Sequence, residues 1–332
     1  MKKIKVAQIG LNLYSHSTEI WDSITKQTDL FEVVGYVLPE NEKERIPHKY
    51  EKLGGFKQLS LEEVLNNPEI EAVTIETDEI YLTKYALMAA KAGKHIHMEK
   101  PGGINLNDFE ELIGIMRKTG KVFHVGYMYR YNPFIHDLID KAKNGELGDI
   151  ISVEAQMNCS HPNELRQWLN ELPDGMMFFL GCHLIDLVLQ IQGKPNKIIP
   201  YNKCTGMDGV ISKDFGMALF EYDKGVSFVK TTDCEIGGFD RRQLVVTGTK
   251  GTVELKPLER YVTADLLCTV KTEHLSNDWY KEGEHSQSEP INRYDNMMKS
   301  FAEYVSGEKT NPYSLDYELE LYKTILKCCG DF

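Results

Sequence analysis

Along the first 127 residues, short apolar runs alternate with stretches whose apolar positions recur every three or four residues. The runs IKVAQI (4–9), FEVVGYVL (31–38), EAVTIET (71–77), 94–99 and KVFHVGY (121–127) read as strands. Between them, 15–27, 61–66, 83–92 and 107–119 carry helical periodicity. Ser15 or Ser17 is suited to cap the first of these helices, Ser60 and Glu63 have capping-box spacing, and Gly93 and Gly120 close the last two. Residues 42–52, charged and with one proline, predict a short, partly helical connection. Strands and helices alternating at this length imply right-handed βαβ units and a mostly parallel sheet.

From Asn132 the pattern changes. A helix over 133–143 and a long strand over 150–158 precede a loop with Pro162 and Pro173, then an apolar helix over 176–192. Alternating runs at 197–203, 215–222, 226–234, 242–248, 251–256 and 261–271 predict strands, with hairpin turns at Asp223-Lys224-Gly225 and Thr249-Lys250-Gly251. Helices at 292–306 and 317–328 close the chain. The expected architecture is an α/β domain over 1–128, a doubly wound parallel sheet, followed by an α+β domain over 129–332 with a large open, mostly antiparallel sheet.

Composition narrows the function classes. The 332 residues suffice for two domains, with 42% apolar and 27% charged residues, as in soluble globular proteins. A formal net charge of −12 argues against a nucleic-acid partner, which requires a basic face. The seven cysteines show no C-x-x-C spacing, and Cys328-Cys329 is a vicinal pair, a pattern that suits reduced thiols in a cytoplasm. The start of the chain is too short and polar for a signal peptide, and no run approaches the ~20 apolar residues of a membrane span.

Candidate chemistry sits at strand ends. His95-Ile96-His97-Met98 runs into Glu99-Lys100-Pro101, so Pro101 stops a strand and an ammonium is delivered to its carboxyl end, where open α/β sheets bind ligands. After the first strand, Gly10-Leu11-Asn12-Leu13-Tyr14-Ser15 occupies the place of a phosphate-binding G-x-G-x-x-G, with only the first glycine retained. The second strand ends in Leu38-Pro39, and Glu40 is the first carboxylate able to accept from a ribose hydroxyl; Lys43 and Arg45 are candidates for an extra phosphate. In the apolar helix, His183 and Asp186 are three apart and share a face, as a catalytic pair or as a core histidine with its orienting carboxylate. His95, His97 and His161 lack ligand spacing, so no metal site is expected. Trp168, Trp279 and the tyrosines read as core before they read as a sugar-stacking wall.

These residues resemble the glucose–fructose oxidoreductase / inositol dehydrogenase / rhizopine-catabolism (Gfo/Idh/MocA) family. The likeness runs nearly the full length and rests on Ala92-Gly93-Lys94-His95 with Glu99-Lys100-Pro101, on Val125-Gly126 with Arg130-Tyr131-Asn132-Pro133, and on Gly181-x-His183-x-x-Asp186. The resemblance implies a Rossmann domain binding NAD or NADP, and Glu40 tilts the choice toward NAD. It implies Gly10, Asn12, Ser15, Glu40, Thr77, Glu99, Lys100 and Pro101 on the cofactor side, with Lys100 also touching the substrate hydroxyl. His183 would be the acid/base residue, Asp186 its orienting partner, and Tyr129, Arg130 and Asn132 would lie near the substrate. A carbohydrate-like substrate and a homo-oligomer, dimer or tetramer, are implied as well.

The departures fall together. Asn12, Leu38, Asp78 after Thr77, Leu82 where a histidine is common, and Phe179 in place of an aspartate all lie on the cofactor side or the substrate floor. The fold is therefore kept more securely than the usual hydride chemistry. A sugar- or dinucleotide-sensing relative without turnover, and a lyase- or glycosidase-like relative, stand as alternatives.

Overall fold

In the computed structural model, residues 2–330 are described, and the chain divides into two compact units. One runs through Tyr127 and takes back Tyr294–Tyr322; the other holds Met128–Arg293 and the described residues from Lys323 to Gly330. This differs from the sequence-based division at 128, because a late helix carries an apolar face that the first unit buries.

The first unit contains β1 (Ile4–Ile9), α1 (Ser17–Lys26), β2 (Phe31–Val37), α2 (Glu42–Arg45), α3 (Pro47–Tyr50), α4 (Leu61–Asn66), β3 (Ala72–Ile75), α5 (Leu82–Lys91), β4 (His95–Met98), α6 (Leu106–Thr119) and β5 (Phe123–Val125). Its five strands pair in parallel in the order β2-β1-β3-β4-β5. All four residues of β3 are buried, as a strand covered on both faces requires. The order reverses between β1 and β3, which opens a crevice at their carboxyl ends. The capping box forms as expected: Glu63 N donates to Ser60 Oγ at 3.1 Å and Ser60 N to Glu63 Oε2 at 2.7 Å. Neither Ser15 nor Ser17 caps α1, however; His16 stands at the N-cap, without a side-chain cap.

The second unit opens with α7 (Pro133–Lys143), β6 (Ile150–Asn158), α8 (Asn163–Trp168) and α9 (Cys182–Gln192), which a π-type turn over Met177–Gly181 precedes. There follow β7 (Lys197–Pro200), β8 (Phe215–Tyr222), β9 (Gly225–Thr232), β10 (Gln243–Gly248), β11 (Gly251–Leu255), β12 (Arg260–Tyr261), β13 (Leu267–Cys268), β14 (Val270–His274) and β15 (Glu284–Gln287). The sheet order is β15-β14-β11-β10-β6-β9-β8-β7, and of these pairs only β6 with β9 is parallel. The strand expected over 261–271 is broken into three short pieces, α8 forms within the expected loop, and β15 forms where no element was expected. Every residue of α9 except its last is buried, which explains why the helix is apolar at all buried positions but His183, Asp186 and Gln190. The chain ends with α10 (Arg293–Ser306) and α11 (Leu315–Cys329).

The return of the chain to the first unit is fixed by rings. Phe301 lies 5.4 Å from His124 and 5.9 Å from His97, ring to ring, and Tyr322 stacks on Phe109 at 4.4 Å. Gly10, whose φ is +95°, leaves no room for a side chain: an added Cβ would lie 2.3 Å from Thr77 Cγ2 and 2.7 Å from Thr77 N. Gly10→Ala is expected to lower unfolding stability by about 1–3 kcal/mol in a urea titration, because Thr77 N is backbone and has little room to move.

Candidate functional site

The crevice is built from two turns, Gly10–His16 after β1 and Glu76–Glu79 after β3. In a dinucleotide-binding turn the backbone N–H groups just before the helix are left for a pyrophosphate. Here Asn12 Oδ1 accepts from Tyr14 N at 2.8 Å and from Ser15 N at 2.7 Å. Asp78 Oδ1 accepts from Leu13 N at 3.0 Å. Asn12 is locked in turn, its Nδ2 donating to Thr77 O at 3.0 Å and to Glu79 Oε2 at 2.9 Å. Lys49 Nζ donates to the carbonyls of Asn12 and Ser15, both at 2.6 Å, and Arg45 Nη2 meets Asp78 Oδ2 at 2.6 Å. Ser17 Oγ, displaced from capping, accepts from Asn12 N at 3.1 Å. The amides of Asn12, Leu13, Tyr14 and Ser15 thus all bind side chains of the protein, so the turn in this arrangement does not fit a pyrophosphate.

Glu40, placed by sequence beside a ribose, accepts instead from Lys84 Nζ at 2.7 Å and Tyr85 Oη at 2.5 Å. Partial burial would raise its carboxyl, and these two donors hold it below the usual range.

Beneath the crevice lie further acids. Glu42 is fully buried, which pushes its carboxyl from 4.5 up to about 8. Glu79 is pushed up to about 7 by burial, against the opposing influence of Lys100 and Asn12. Glu76 is raised well above its ordinary value by burial and then by the proximity of Glu99; burial raises Glu99 too, against Lys100 and Ser15. Lys100, at the carboxyl end of β4 and almost wholly buried, has its Nζ 3.8 Å from Glu99 Oε1. Behind it, His97 Nδ1 and His124 Nδ1 are 2.7 Å apart, so one ring donates to the other. His97 Nε2 stands 3.5 Å from Glu76 Oε1, and burial drives this histidine down to about 3.

In the second unit, α9 carries His183 and Asp186, both buried. Asp186 accepts a bidentate pair from Arg130, Nε to Oδ2 at 3.0 Å and Nη2 to Oδ1 at 2.8 Å, and also a bond from Gln190 Nε2 at 2.8 Å. The Tyr129 ring lies edge-on to His183 with centroids 5.6 Å apart, and its Oη donates to Glu259 Oε2 at 3.0 Å. Burial alone would raise Glu259, but Arg293 and Arg242 bring it down to about 2. Asn132 caps α7 through Oδ1 and donates from Nδ2 to Thr269 Oγ1 at 2.8 Å. Phe179 packs edge-on against Trp168 at 5.5 Å.

Among the described residues, one group, Asp214, Asp233 and Cys234, has metal-ligand spacing. Arg166 already supplies its cation, at 2.9 Å from Asp214 and 3.5 Å from Asp233. Sequence reasoning missed Glu79, Glu42 and Lys49 as parts of the crevice and Glu259 as the partner of Tyr129; Arg45 was named only as a candidate for an extra phosphate, not as the partner of Asp78. Asp78 stood out there as a departure after Thr77, and that was the signal available.

Residues 4–127 match the model of an oxidoreductase family with an NAD-binding Rossmann fold, and residues 135–254 match the GFO/IDH/MocA C-terminal domain. The chain is 25% identical over 258 residues to a 1,5-anhydro-D-fructose reductase of Ensifer adhaerens, covering 76% of this chain and 74% of that one. It is 27% identical over 202 residues to a trans-1,2-dihydrobenzene-1,2-diol dehydrogenase of Bos taurus, covering 59% of this chain and 58% of that protein. A levoglucosan dehydrogenase solved with NADH and levoglucosan superposes with a TM-score of 0.78 at 17% identity, over 99% of this chain and 98% of that one. The chain belongs to the GFO/IDH/MocA family of NAD(P)-dependent oxidoreductases, whose reaction is hydride transfer. Among the described residues, no helix is long and apolar enough to cross a membrane.

Two outcomes are expected from the site. Glu42, with its folded value raised to about 8, contributes stability that is complete below about pH 4.5 and lost as pH rises through 8. Glu42→Gln should therefore match the wild-type melting temperature near pH 5 and exceed it by several degrees at pH 8.5, followed by circular dichroism. Arg130→Ala should cost about 3–5 kcal/mol in chemical denaturation, because it leaves the buried Asp186 carboxylate without its guanidinium.

Proposed function

We propose that this family member is a nicotinamide-dependent dehydrogenase acting on a secondary hydroxyl of a sugar, cyclitol or related polyol. The observation that carries the reading is Lys100: a buried ammonium at the carboxyl end of β4, in a family whose chemistry is hydride transfer. Oxidising an alcohol removes a proton from oxygen as the hydride leaves carbon, and an adjacent ammonium stabilises the alkoxide that develops. His183 takes that proton, as an imidazole does near neutral pH. Asp186 acts as a positioning residue through Arg130, and Tyr129, Arg130 and Asn132 form the substrate side. Gly10, Asn12, Ser15, Glu40, Thr77, Glu99 and Pro101 belong to the cofactor side.

The chain works in this reading as a homo-oligomer in the cytoplasm, in keeping with seven cysteines held as thiols. A second reading, a dinucleotide- or sugar-sensing relative without turnover, draws on the internally satisfied amides of Leu13, Tyr14 and Ser15.

A panel of sugars and cyclitols, followed by nicotinamide absorbance with NAD and with NADP, tests the function. Turnover is expected with at least one pair, and Lys100→Met should reduce it about 100- to 1000-fold while dinucleotide binding persists. Undiminished turnover in Lys100→Met overturns the assignment of Lys100, and binding without turnover across the panel favours the sensor.

A further inference from the structure

We propose that Asn12 and Asp78 are a built-in stand-in for the pyrophosphate, and that a dinucleotide enters this protein only by displacing them from the β1–α1 turn. The inference rests on the nicotinamide-dependent reading above and adds residues that set cofactor affinity.

The geometry carries it from both turns. The backbone N–H groups of Leu13, Tyr14 and Ser15 are the donors that a helix-preceding turn offers to an anion. Each already has a side-chain oxygen at 2.7–3.0 Å, two from Asn12 Oδ1 and one from Asp78 Oδ1. The acceptors are themselves fastened. Asn12 is fully buried and bonded to Thr77 O and Glu79 Oε2, and Asp78, 4% exposed, is bonded to Arg45. A plug held by its own partners differs from a side chain that swings aside freely.

Charge adds to the occlusion. A carboxylate at hydrogen-bond distance from Leu13 N lies where a phosphate oxygen would seat, and like charges at that spacing repel. With Asp78 out of the way, Arg45 gains the freedom to pair with an incoming phosphate, so the ion pair that holds the plug also supplies a cation for its replacement. Gly10 packs against the Thr77 backbone independently of the Asn12 and Asp78 side chains, since its Cβ would meet Thr77 Cγ2 and N. The plug therefore lowers affinity without dismantling the turn.

The test is isothermal titration of NADH and of NADPH into the wild-type chain, Asp78→Ala, Asn12→Gly and Asp78→Asn, with a thermal melt to establish that each variant is folded. Asp78→Ala and Asn12→Gly are expected to bind at least one dinucleotide about tenfold or more tightly than wild type. Asp78→Asn keeps an acceptor for Leu13 N but no charge, and should fall between wild type and Asp78→Ala. If wild type binds and both Asp78→Ala and Asn12→Gly, folded, bind no tighter or more weakly, the two side chains are ordinary parts of the binding site and the inference is overturned while the dehydrogenase reading stands. If no form binds either dinucleotide, the dehydrogenase reading falls, and the inference falls with it.

Discussion

A carboxyl group removed from water must give up its charge, pair it, or find donors for it, and the first unit of this protein meets that demand many times at one sheet edge. Glu42, Glu76, Asp78, Glu79 and Glu99 are all buried around the carboxyl ends of β1, β3 and β4. Each solution appears. Asp78 is paired with Arg45 and donated to by Leu13; Glu99 lies beside Lys100; Glu42, Glu76 and Glu79 are pushed upward, toward the neutral form. The backbone imposes the matching demand from the other side, since buried N–H groups require acceptors. Acids that need donors and amides that need acceptors have met in the same turn, and their mutual satisfaction shapes the crevice.

The second unit handles buried charge differently, by closed ion pairs. Arg130 with Asp186, Arg242 and Arg293 with Glu259, and Arg166 with Asp214 and Asp233 each set a guanidinium against carboxylates inside the fold. Such arrangements resist substitution of either partner more than they add stability in themselves. They hold Tyr129, by its hydroxyl to Glu259, edge-on beside His183. The contrast between the units is chemical. In the first unit burial pushes Glu42 and Glu79 up toward the neutral form, whereas the second sets guanidinium groups against Asp186, Glu259 and Asp214.

Much of this was legible in the chain. The parallel sheet followed from period-two runs separated by period-3.6 helices, and the Ser60–Glu63 box formed as its spacing implied. The strand read over 261–271 fails because an apolar alternation does not reveal where a chain bends, and the observed pieces pair with different neighbours: β12 with β13, and β14 with β11. β15 went unseen because all four of its residues are exposed, so its face carries no apolar signal. At the site, Asn12 and Asp78 were visible as departures, but their joint role was not. It depends on two turns 65 positions apart meeting at hydrogen-bond distance, a register set by β1 pairing with β3. Likewise, the spacing of His183 and Asp186 showed a shared helix face and could not show Arg130 clasping the aspartate.

The return of Tyr294–Tyr322 to the first unit bears on how the chain acquires its structure during synthesis. When β5 leaves the ribosome, the rings of Phe109, His97 and His124 still lack the covers that Phe301 and Tyr322 provide. Asn311, which donates to the Phe123 carbonyl at 3.0 Å, also comes from that late segment. A nascent chain of some 290 residues therefore holds its nucleotide-type half incomplete, with rings awaiting a cover that only the later segment Tyr294–Tyr322 delivers.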